Sequence, residues 1–135
     1  MTKQTRSRPV SARQVRSYLL KAEEYRAAAT SELEAGRAIA ATSLAIHAAI
    51  NAADAVCGAR IGKRAAGQDH EQVLHLLRDA GKDGAEVERE LRRLLPLKTK
   101  AEYEPDEIPI ADATRAVERA VRCVQIARVV AGPAG

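Results

Sequence analysis

The chain has 135 residues, enough for one domain whose core needs neither disulfides nor metal to hold it together. Lys and Arg number 22 against 18 Asp and Glu, a formal charge of +4, and the only aromatics are three tyrosines, which argues against a stacking platform for single-stranded bases. Alanine, leucine, glutamate and arginine dominate and no alternating β-branched run occurs, so the class is all-α: an antiparallel up-and-down helical bundle of four to five helices, closely spaced because alanine faces let helices approach.

Residues 1–10 read as a flexible basic arm. As far as Arg16 the chain carries Lys3, Arg6, Arg8, Arg13 and Arg16 and no acid, a composition that suits phosphate backbones or a solvated tail. Residues 11–132 read as one bundle. Ser11 is placed to cap a first helix over about residues 11–35, with Val15, Leu19, Ala22, Ala29 and Leu33 as its core stripe. Gly36 breaks it, and a second helix runs to about Arg60. The basic stretch 63–67 reads as a flexible connection. Asp69 looks like the N-cap of a third helix ending near Ala80, and the glycines at 81 and 84 read as a turn. A short fourth helix over about residues 85–95 is stopped with the help of Pro96. Residues 97–109 read as irregular, with Tyr103 pinned against the bundle, and a last helix spans about residues 111–131.

The second helix carries the most suggestive chemistry. Its centre, residues 43–57 (SLAIHAAINAADAVC), is mostly apolar, yet His47, Asn51 and Asp54 fall at i, i+4 and i+7 on one face. Such a row is either a buried hydrogen-bonded network or the wall of a site. If residues 98–103 pack across this helix, Asp54 pairs with Lys98 and receives the Tyr103 hydroxyl, with Lys100 in the same cluster. Cys57 and Cys123 read as small buried apolar residues of a reducing compartment, a disulfide between two helices staying open. No metal site is expected: His70 and His75 are five residues apart and do not share a helix face, and HExxH is absent. No cofactor is expected either, because GxGxxG and P-loop patterns are missing. No apolar run approaching the roughly 20 residues of a membrane span is seen in the sequence, and the N-terminus lacks a hydrophobic signal core, so a cytoplasmic protein without membrane contact is expected.

Three short segments, in this order, resemble elements of the HEPN superfamily: residues 45–56 (AIHAAINAADAV) its AYxAxxxAAxAL helix, residues 67–71 (GQDHE) its KTHSG-like segment, and residues 98–103 (KTKAEY) its RxxADY element. The resemblance covers about residues 11–131. It implies a homodimeric helical module that acts by binding a partner, a nucleic acid or a nucleotide, as one component of a toxin–antitoxin system whose other half is a nucleotidyltransferase-type antitoxin. Catalytic members carry Arg, four to six residues, then His, near the start of a late helix. Residues 64–70 (RAAGQDH) fit that count, but between the second and third helices; at the later position this chain has Lys98 to Tyr103 and no His. The alternative reading is therefore a metal-independent endoribonuclease, with His70 as base and Arg64, Lys98 or Lys100 as the cation that stabilises the phosphorane. A structural self-association domain is the third.

Overall fold

The computed structural model describes residues 7–66 and 70–132. Five helices and a two-stranded ribbon follow one another as β1 (Ser7–Pro9), α1 (Ala12–Glu34), α2 (Ala38–Ile61), β2 (Lys63–Ala65), α3 (His70–Arg78), α4 (Gly81–Glu102) and α5 (Ile110–Ala131). Ser11 caps α1 in a reciprocal box: its hydroxyl accepts from the Gln14 N–H while the Gln14 side chain accepts from the Ser11 N–H. The expected all-α bundle is what forms.

The core is built on α2, which packs against α1, α4 and α5. Ala41, Ala45, Ala48, Ala49, Ala52, Ala53 and Ala55 are completely buried, and their methyl side chains let three neighbours approach one helix. Gly58 marks the close approach of α1, where a Cβ would lie 2.6 Å from Val15 Cγ2. Larger side chains fill the space on the far side: Leu77 of α3, Val87, Leu91 and Leu94 of α4, and Val124 of α5. By length and composition α2 is apolar enough to cross a membrane, contrary to the reading of the bare sequence; 56% of its most apolar window is buried, as befits a helix wrapped by three others.

Two segments depart from expectation. Ser7–Pro9 of the supposedly flexible arm pairs antiparallel with the supposedly flexible Lys63–Ala65, in the register Ser7 to Ala65, Arg8 to Arg64 and Pro9 to Lys63. The turn that makes this possible is Gly62, left-handed at φ 68°, which ends α2 and accepts a hydrogen bond from Val10 N–H at 2.9 Å. The second departure is α4, which begins at Gly81 and runs through Pro96 to Glu102. Pro96 is solvent-exposed, so the carbonyl it leaves without a donor meets water. Leu91 and Leu94 before it, with Leu97 after it, hold the helix to the core. Gly84 lies inside the helix, and glycine is required there because a Cβ would lie 2.2 Å from the Leu77 carbonyl oxygen. The proposed Asp69 cap and residues 1–6 of the arm lie outside the described residues.

Candidate functional site

Helices α1 and α4 pack on α2 without packing on each other, so one side of α2 lies open between them. Its half-buried residues are Ala40, Ser43, Leu44, His47, Ile50, Asn51 and Asp54, at helical spacing, so they form one partly exposed face, the α2 groove, between those two helices. The predicted polar row is therefore on one face and reaches solvent.

At one end of the row the organising residue is Glu102, in the last turn of α4. Lys98, one turn earlier, donates to Glu102 Oε2 at 2.7 Å. His47 Nε2 lies 3.5 Å from Glu102 Oε1, and His70, the first residue of α3, acts electrostatically on the same carboxylate. Tyr25 of α1 supports the His47 ring from the other side, with centroids 5.4 Å apart. The Lys98 hydrogen bond holds the Glu102 carboxyl below its ordinary range, and the nearby charges of Lys98, His47 and His70 lower it further. Glu102 in turn raises the Lys98 ammonium. Helices α2 and α4 thus bring an imidazole and an ammonium to one carboxylate, which also feels the charge of His70 at the start of α3. Such a group can grip a phosphate oxygen and pass a proton.

At the other end, burial pushes the Asp54 carboxyl up to about 7, against the pull of Arg64 and Lys21. The expected Asp54–Lys98 pair does not form, because the Lys98 ammonium goes to Glu102 in its own helix. Tyr103 is not pinned: it is 74% exposed, with the Lys98 ammonium 5.6 Å from its ring centroid. Asn51 does not bridge the row either, since its amide donates to the His47 carbonyl one turn back at 2.8 Å. Lys100 is half-buried and has no ion-pair partner among the described residues. Arg64 lies over the Tyr18 ring, 5.8 Å from its centroid, and donates to the Ala65 carbonyl.

Of the residues singled out in the sequence, His47, Lys98 and Tyr103 come together, with His70 acting on the cluster electrostatically, whereas Arg64 acts on Asp54 further along the same helix face. Glu102 and Tyr25 were missed. The signal for Glu102 was present as Lys98 and Glu102 at i, i+4, but it has meaning only if the helix continues past Pro96.

No curated protein matches the chain. The HEPN domain family matches residues 15–131, a span that takes in the floor and both walls of the groove. With α2 through α5 and all but the first residues of α1 inside that match, the chain belongs to the HEPN domain family.

Proposed function

We propose that this HEPN domain binds RNA in the α2 groove, with a backbone phosphate seated at the Glu102 cluster, as one component of a toxin–antitoxin pair. The observation that carries the reading is the convergence of His47, His70 and Lys98, from α2, α3 and α4, on a single carboxylate at a solvent-reaching site. The family's association with toxin–antitoxin systems and ribonuclease activity supports it. A second copy of the chain, laid against the apolar floor residues Leu44 and Ile50, would set two clusters beside each other. A nucleotidyltransferase-type antitoxin is the partner that the family suggests.

Binding is tested with labelled single-stranded RNA. Wild type binds, and Lys98→Ala weakens binding by about tenfold, the loss of one charge-assisted contact. Absence of binding by folded wild-type protein overturns the reading.

The His47–Glu102 contact favours a second reading, metal-independent endoribonuclease action. A carboxylate behind an imidazole orients it and stabilises the cation that forms when it takes a proton. His70 or His47 would then take the proton of a ribose 2′-hydroxyl as its oxygen attacks the adjacent phosphorus. The bond to the 5′-oxygen breaks, that oxygen is protonated by the other imidazole, and a 2′,3′-cyclic phosphate remains. Lys98 would stabilise the charge gained by the phosphoryl oxygens. Cleavage of RNA in chelator by wild type, abolished in His70→Ala, supports this; equal cleavage by both would remove His70 from the site.

A further inference from the structure

The β1–β2 ribbon places together two guanidinium groups that form no ion pair with any of the described residues. Arg8 is directly opposite Arg64 in the antiparallel register, and cross-strand partners project from the same face of a ribbon. Like charges in that relation destabilise a strand pair. Arg8 has no ion-pair partner among the described residues. Arg64 is half-buried and held in orientation by the Tyr18 ring and the Ala65 carbonyl. Lys21 of α1 brings a third positive charge, which acts with Arg64 on one carboxylate, Asp54, that burial drives towards its neutral form. Lys63, across from Pro9, adds a fourth cation to the ribbon.

We propose that Arg8, Arg64 and Lys21 form a second phosphate-binding site, which anchors the backbone of the RNA that the α2 groove receives. The site is built rather than accidental. Backbone pairing fixes the Arg8 position, and the Val10 N–H bond to the Gly62 carbonyl ties the strand to the end of α2. It is also continuous with the groove, since Asp54 is seven residues along α2 from His47, about 10 Å. A chain held at the Glu102 cluster would thus reach the arginine pair along the same helix face. The inference rests on the RNA reading above, and the ligand chemistry is the phosphate group, from an internal phosphodiester or a 5′ end.

The variants are Arg8→Ala and Lys21→Ala, both at exposed positions, with full-length protein and two labelled oligonucleotides of one sequence, 5′-hydroxyl and 5′-phosphorylated. Each variant should bind several-fold more weakly and lower the slope of log affinity against log salt by about 0.7, the value for one phosphate contact on a single strand. Arg8→Ala should melt no lower than wild type, because removing it relieves the opposition to Arg64; a loss of binding through misfolding would instead lower Tm. A loss seen with both oligonucleotides assigns the site to internal phosphates, and a loss confined to the 5′-phosphorylated one assigns it to a terminal phosphate. Wild-type binding with unchanged affinity and slope in both variants overturns this site and leaves the proposed function standing. No binding by wild type overturns both.

Discussion

The two carboxylates at the ends of the α2 groove show how partners, rather than burial alone, decide what an acid does. Glu102 has an ammonium within hydrogen-bond distance and two imidazoles acting on it, and its carboxyl is held low. Asp54 has cations near it but burial dominates, and its carboxyl is pushed up to about 7. The two therefore contribute to stability with opposite dependence on pH. Glu102 contributes its full stabilisation above the ordinary carboxylate range and loses it as pH falls through its lowered folded-state value. Asp54 keeps its proton in the folded protein until about 7, whereas an unfolded chain releases it near 3.9. Between those values the unfolded state binds fewer protons, so stability falls as pH rises.

The largest expected effect breaks the Asp54 side of this contrast. Asp54→Asn should stabilise the protein at pH 8 by roughly 2–4 kcal/mol, with little change at pH 4, and should flatten the decline between them in urea titrations. Next comes Gly58→Ala, one turn further along α2, whose new methyl would collide with Val15 and push α1 outward at that end. We expect a loss of about 2 kcal/mol in chemical denaturation, with the Glu102 cluster undisturbed. Smaller still is Glu102→Gln, which should cost about 1 kcal/mol at pH 7 and progressively less as pH falls below the carboxylate range, because the ion pair with Lys98 is partly exposed. The smallest is Arg128→Ala, which removes an exposed ion pair to Glu23 on the α1–α5 side and should change stability by no more than ~0.5 kcal/mol at any pH.

Sequence periodicity was enough for the bundle and for the shared face of His47, Asn51 and Asp54, because helical spacing is a local property. The partners across that face were not legible, because they depend on where α4 ends. Taking Pro96 as a stop made Lys98 a loop residue free to reach Asp54; a helix that continues past Pro96 instead gives Lys98 to Glu102. The arginine pair was hidden for a different reason. Arg8 and Arg64 are 56 positions apart and become neighbours only through a three-residue ribbon too short to leave an alternating pattern. The Arg64–His70 spacing adds a further point: near neighbours in the chain take different partners, Arg64 lying over Tyr18 while His70 acts electrostatically on Glu102.

The central claim is that RNA meets the protein at the Glu102 cluster, and the chain offers an internal control for it. It has three histidines, of which His47 and His70 belong to the cluster while His75 is exposed on α3. The direct measurement is an NMR titration of the three imidazole ring protons with a single-stranded RNA oligonucleotide. The account predicts that His47 and His70 shift together, saturating with one affinity, while His75 stays in place. RNA binding that leaves His47 and His70 unmoved, or that shifts all three alike, would contradict it.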